Sequence, residues 1–192
     1  MEGIFFILIG AALFSQSWYI LGLYSEGRIM GVFTGSLGVL VLGIVMFGAS
    51  LEPTLLTGDS RLSGADRAAT MLADLTVLKG LMLIWAAYAI GVGAHGLWEF
   101  EDRAIGLYSG FLAIASVIAF LYFAIELESV YSDAGWLSMS GAALALAVLS
   151  TITFFYLALQ LSVLRLVAGW FILLGGSVVV AVGLAMLSTA IT

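Results

Sequence analysis

Arg28-Ile-Met-Gly31-Val-Phe33-Thr-Gly-Ser-Leu37-Gly38 opens a long apolar run, and its pattern returns twice. The second copy is Arg103-Ala-Ile-Gly106-Leu-Tyr108-Ser-Gly-Phe-Leu112-Ala113. The third is Arg165-Leu-Val-Ala168-Gly-Trp170-Phe-Ile-Leu-Leu174-Gly175. Each has Arg, a small residue at +3, an aromatic at +5, Leu at +9 and a small residue at +10. On a helix turning about 100° per residue, +3 and +10 fall together while +5 and +9 lie nearly opposite. Each copy therefore predicts a smooth packing face backed by an aromatic and leucine face.

The composition says where such helices reside. Of 192 residues, 63% are hydrophobic and 9% charged, and mean hydropathy is +1.20. A soluble domain carries about 25% charged residues, so this chain has too little polar surface to cover a globule in water. No cysteine is present, which excludes disulfides, thiolate metal sites and cysteine nucleophiles. A single histidine, His95, cannot build a multi-histidine metal site. Six basic against 12 acidic residues argues against a polyanionic partner such as nucleic acid. The start, Met1-Glu2-Gly3, lacks the basic region of a signal peptide, so the first apolar run reads as a retained helix.

A membrane span needs about 20 mostly apolar residues. Six segments qualify: Gly3–Tyr24, Ile29–Ser50, Asp74–Leu97, Ala104–Ile125, Trp136–Leu159 and Leu166–Thr192. A polar stretch from Leu51 to Ala73 holds the only proline, Pro53, with Glu52, Asp59, Arg61, Asp66 and Arg67. Its second half, Ser63 to Asp74, is compatible with a short interfacial helix. Each copy of the repeat opens an even-numbered span. The expectation is an all-α integral membrane protein, one transmembrane domain over residues 1–192. Its six helices form three sequential hairpins, packed with pseudo-three-fold character around a common axis.

The short turns each hold one arginine: Arg28, Arg103 and Arg165. Charges in short loops weigh most in the positive-inside rule. We therefore expect the short turns in the cytoplasm and both termini outside the cell membrane. Gly31xxxGly35 and Gly106xxxGly110 are spacings at which helix backbones touch in lipid. Trp98 and Trp136 at helix ends read as interface anchors.

No constellation for an enzyme emerges. There is no nucleophile motif, no phosphate loop and no intramembrane carboxylate pair, and no cofactor is implied. Asp74 opens the third span, where negative charge suits the helix dipole. Lys79 sits five residues into that span, within reach of the interface by snorkelling, or in a vestibule. Ser15-Gln16-Ser17 lies near the middle of helix one. A carboxamide there is costly unless paired, so Gln16 either makes an interhelical hydrogen bond or lines a pore. Trp85 and Tyr88 share a face of helix three, and Ser150, Thr153 and Tyr156 roughly share one of helix five. These are core packing, or walls of a path. Aromatic walls with few neutral hydrogen-bonding groups suit a planar polar amide.

Several stretches, in order, resemble the AmiS/UreI family of six-helix urea and short-chain-amide channels. Ile9-Gly10-Ala-Ala-Leu13-Phe14-Ser15-Gln16-Ser17 resembles the family's G-x-x-L-F-x-N-G, with Gln16 in place of Asn. Phe33-Thr-Gly35-Ser-Leu37-Gly38-Val resembles F-x-G-G-L-x-V. His95-Gly96-Leu97 through Tyr108-Ser109-Gly110-Phe111 resembles G-L-D-x-R…W-Y-S-L-F. Trp170-Phe-Ile-Leu-Leu-Gly175-Gly176 resembles W-x-x-I-x-E-G, with Gly175 where the family has Glu. The family's tryptophan cluster at the start of helix five is reduced to Trp136, and its outer-loop histidines are absent. The resemblance implies a pore for small neutral solutes in a ring-shaped homo-oligomer, and the absent histidines argue against a proton gate.

Taken together, the expected function is a passive channel for urea or a short-chain amide. Its pore-lining and substrate-binding candidates are Gln16, Phe33, Trp85, Tyr88, Tyr108 and Trp170. Two other readings stay open: a non-transporting scaffold or sensor subunit packed through its glycine faces, and an ion-coupled carrier of a small solute.

Overall fold

A computed structural model describes residues 2–23, 26–47, 64–98, 100–126 and 133–189. Six helices account for nearly all of them: α1 (Glu2–Leu21), α2 (Gly27–Phe47), α3 (Gly64–Trp98), α4 (Asp102–Glu126), α5 (Asp133–Leu157) and α6 (Arg165–Thr189). Each contains a stretch long and apolar enough to cross a membrane, and the chain is a multi-pass membrane protein. The part of the polar stretch carrying Glu52, Pro53, Asp59 and Arg61 lies outside the described residues, as does Glu128. The Trp136 side chain does too.

Most boundaries fall within a few residues of the sequence expectation, and the main departure is α3. The stretch expected as a separate interfacial helix is continuous with the third span, giving 35 residues in one helix. Asp74 therefore lies inside α3, not at a helix start, and the expected dipole role falls away. At the other end of the hairpin turns, α1 stops for a local reason. Gly22 has φ of 72°, the left-handed conformation that glycine adopts without penalty. Its N–H donates to the Tyr19 carbonyl and the Leu23 N–H to the Trp18 carbonyl, each at 3.0 Å. This pair of bonds satisfies carbonyls that the helix end would leave open.

The helices form a closed circuit in chain order, with α6 returning to α1. The sequence hairpins are present, but they are not the most intimate pairs. The tightest packing joins α2 to α3, α4 to α5, and α6 to α1. Glycine decides this. A Cβ at Gly93 would sit 2.5 Å from the Gly35 Cα and 2.7 Å from the Gly31 carbonyl oxygen. One at Gly183 would lie 2.6 Å from the Gly3 oxygen, and one at Gly10 2.7 Å from the Gly176 oxygen. Gly106 meets the backbone of Ala158 in the same way. Gly31 and Gly38 of the first copy thus face α3 and Gly106 of the second faces the end of α5, whereas in the third Gly169 and Gly176, each one residue on, face α1. The +9 leucines Leu37 and Leu112 are buried, whereas Leu174 is exposed.

The odd-numbered helices form the inner layer. Of their apolar windows, 50, 44 and 44% is buried for α1, α3 and α5, against 22, 28 and 28% for α2, α4 and α6. The core runs through Phe5, Phe6, Ile9, Trp85, Met82, Phe123 and Leu146 on these and neighbouring helices.

Close approach of this kind is intolerant of a methyl group. Gly93→Ala is expected to destabilise the protein by about 1–3 kcal/mol, because overpacking must be absorbed by backbone movement. Gly43 has no atom within 4 Å of the equivalent position, and Gly43→Ala should leave stability unchanged or slightly raised. Thermal unfolding of the detergent-solubilised proteins distinguishes the two.

Candidate functional site: a vestibule closed by neutral side chains

The short-turn end of the bundle is hollow. An outer basin of about 630 Å³, bordered by Tyr19, Glu26, Arg28, Phe100 and Asp102, leads into an inner vestibule of about 380 Å³. The inner wall draws on all six helices. It holds Tyr19 and Ile20 of α1, Met30 and Gly31 of α2, Val92 and His95 of α3, Ile105 of α4, Tyr156 of α5 and Arg165 of α6. Gln16 and Thr34 line the vestibule and also the narrow seam beyond, which reaches Trp85 and Tyr88 and is too tight to hold a water molecule. They therefore mark its floor.

Charge is confined to the mouth. His95 Nε2 lies 3.0 Å from an Asp102 carboxylate oxygen across the α3–α4 turn. Arg165 donates from Nε to the Ile20 carbonyl at 2.7 Å. There a cation meets the negative end of α1, an arrangement the helix dipole favours. Arg103 and Arg28 are exposed at the same end, and Arg103 Nη2 donates to Gln160 Oε1 at 3.4 Å. Below the mouth the polar groups lining the vestibule and seam are neutral. No cluster able to hold a metal ion occurs among the described residues.

Where the vestibule ends, the three inner helices are tied by one hydroxyl. Gln16 Nε2 of α1 donates to the Tyr88 hydroxyl of α3 at 3.0 Å, and that hydroxyl donates to Gln16 Oε1 at 3.2 Å. It also engages the Thr153 side chain of α5. The carboxamide is 6% exposed and Tyr88 4%. Without this partner, Gln16 would be a bare amide in an apolar interior. Aromatic rings surround the tie. Trp85 meets Tyr88 edge-on with centroids 5.5 Å apart, and its Nε1 donates to Ser116 Oγ on α4 at 3.1 Å. Tyr108 lies nearly parallel to Tyr88 at 6.4 Å and donates to the Ile84 carbonyl at 3.0 Å.

Four of the six candidates therefore converge: Gln16, Trp85, Tyr88 and Tyr108. Phe33 and Trp170 do not join them. They are 51% and 49% exposed on the outer surface of the bundle, whereas Tyr108, also at +5, turns toward Tyr88. Lys79 is half-buried near the middle of the 35-residue α3 and does not line the vestibule. Trp98 is exposed at the end of α3 beside Phe100, as an interface anchor would be. Gln16 makes the interhelical hydrogen bond and also lines the vestibule. Sequence reasoning missed Thr34. Its only signal was spacing, since it shares the face of Gly31 and Gly38.

Gly175 is explained by a neighbour. A Cβ there would fall inside the Leu149 side chain of α5, 2.8 Å from its Cδ1, and Leu149 is buried. Leucine from the facing helix occupies the space a side chain at 175 would need, and neither residue lines the vestibule.

Two measurements follow from this geometry. Tyr88→Phe removes the hydroxyl that joins α1, α3 and α5 and leaves Gln16 unpaired. It should lower stability by about 1–3 kcal/mol in thermal unfolding. Gly175→Glu should destabilise by a comparable amount, roughly 1–3 kcal/mol. In combination with Leu149→Ala the loss should fall short of the sum by on the order of 1 kcal/mol. Strict additivity would show that the two positions do not share space.

No protein-family model matches the chain, and no curated protein matches it by sequence. Solved structures do match. The urea channel of Helicobacter pylori, seen by cryo-electron microscopy in a closed state, aligns with a TM-score of 0.69. The match covers 98% of this chain and 98% of that one at 15% identity. The crystal structure of the urea channel from the same human gastric pathogen aligns with a TM-score of 0.61. It covers 92% of this chain and 91% of that one at 17% identity. Over essentially its whole length, the chain has the six-helix fold of that urea channel.

Proposed function

We propose that the protein is a passive channel for urea or a short-chain amide. The observation that carries this reading is the chemistry of the vestibule floor. A path wide enough for water ends on a neutral carboxamide and hydroxyls, set among aromatic rings. A planar amide presents one carbonyl acceptor and two or more N–H donors. Gln16 and its neighbours offer the matching donors and acceptors, and ring faces suit its flat shape. An ion would have to shed water against groups carrying no compensating charge. The fold shared with a urea channel and the ordered sequence motifs support the same conclusion.

The seam below Gln16 is too tight for water in this conformation. Passage therefore requires the Gln16–Tyr88 contact to part, with solute hydrogen bonds substituting for those lost. The short turns, with Arg28, Arg103 and Arg165, are placed on the cytoplasmic side by the charge rule. The vestibule would then be the inner mouth and both termini would lie outside. On the strength of the sequence resemblance we also propose a ring-shaped homo-oligomer, in which the outward Phe33 and Trp170 meet lipid or a second copy.

In proteoliposomes, urea, acetamide and formamide should enter faster than in protein-free vesicles. Their rates should be linear in concentration and indifferent to sodium or proton gradients. Gln16→Leu should slow that entry several-fold while the purified protein keeps its size-exclusion profile. Wild-type vesicles that swell no faster than empty ones would instead favour a scaffold or sensor subunit. A saturating, gradient-dependent rate would mark a coupled carrier.

A further inference from the structure

Among the described residues, two buried side-chain polar atoms lack a hydrogen-bond partner: Thr34 Oγ1 and His95 Nδ1. Both residues line the same vestibule. Thr34 is 2% exposed and stands at the floor beside Gln16, between the vestibule and the seam that leads to Trp85 and Tyr88.

The missing bond at Thr34 is unusual within this chain. A hydroxyl on a membrane helix ordinarily turns back to a carbonyl three or four residues earlier. Thr151 and Thr153 do so at 2.7 and 2.8 Å. Ser36, Ser177 and Ser188 do the same. Ser109, which holds the same position in the second copy of the repeat, bonds back to the Gly106 carbonyl. Thr34 forgoes this bond and keeps its donor and both acceptor lone pairs free. Gln16 uses one N–H and one lone pair on Tyr88, which leaves a second N–H and a second lone pair.

We propose that Thr34 and Gln16 together form a docking station for a planar amide at the vestibule floor. The Thr34 hydroxyl donates to the solute carbonyl, and Gln16 Oε1 accepts a solute N–H. This rests on the channel reading above and adds to it the residue that tells amides from other small solutes. A solute held there is poised at the Gln16–Tyr88 contact, with replacement hydrogen bonds already in place when that contact parts.

Thr34→Val keeps the branched shape and removes the hydroxyl, whereas Thr34→Ser keeps the hydroxyl and removes a methyl. Stopped-flow measurements on proteoliposomes would compare urea, acetamide and water permeation through wild type and both variants. Loss of one neutral hydrogen bond at the station should slow urea and acetamide through Thr34→Val by roughly three- to tenfold. Water permeation should stay within about twofold of wild type, since one hydrogen bond fewer at a wet wall matters little to water. Thr34→Ser should retain most of the amide flux. If wild type passes urea and Thr34→Val passes it equally well, the station is overturned and the channel reading stands. Equal slowing of amides and water, or equal loss in both variants, would make Thr34 a packing residue and also overturn it. If wild type passes none of these solutes, the channel reading itself falls, and the station with it.

Discussion

Backbone touching backbone across paired glycines is the constraint on which the rest of this bundle depends. Within lipid there is no gain from hiding one apolar helix against another, so association rests on close van der Waals contact. Gly31, Gly93 and Gly96 bring α2 and α3 together until no Cβ fits between them. Gly3, Gly10, Gly176 and Gly183 do the same for α1 and α6. Because the glycine faces of the even helices look toward the next odd helix, the tight pairs cut across the sequence hairpins. The looser contacts within hairpins leave room at the short-turn end, and that room is the vestibule.

A second constraint follows from the first. Helices held this close cannot slide to relieve an unpaired polar group, so each buried one must find a partner where it stands. Gln16 finds Tyr88, and Tyr88 also reaches Thr153. The bond network thus crosses the inner layer at the depth where the cavity ends. In the proposed channel, a planar amide would take the place of that hydroxyl, and a solute unable to supply both a donor and an acceptor would leave one side unpaired.

The sequence carried the large-scale fold in plain view. Six apolar runs, the turns between them and the glycine spacings are each dictated by the bilayer, and they reappear as six helices with glycine contacts. Gln16 was legible because a carboxamide in lipid demands an explanation, and Tyr88 because it shares a face with Trp85. Phe33, Tyr108 and Trp170 hold the same +5 position of the repeat. The periodicity of one helix says which residues share a face. It does not say whether that face meets a pore, a neighbour or lipid, and only Tyr108 points toward Tyr88. Thr34 was invisible for a related reason: a threonine among glycines reads as one more small packing residue, and only its unmade backbone bond sets it apart.

Gly175 shows the same limit from the opposite side. Read alone, it looks like a lost functional position, since the sequence resemblance places a glutamate there. In the bundle it is one half of a volume exchange, with Leu149 from α5 filling the space. Introducing a carboxylate would require expelling a buried leucine and then finding a partner for the charge. Neither neighbour nor vestibule supplies one at that point, since Asp102, His95 and Arg165 all stand at the mouth. Around Gly175 the α5–α6 contact is thus apolar packing, and the side chains at the vestibule floor, Gln16, Thr34 and Tyr88, come from α1, α2 and α3. In the proposed channel, recognition at the vestibule floor would consequently rest on neutral hydrogen bonding rather than on charge.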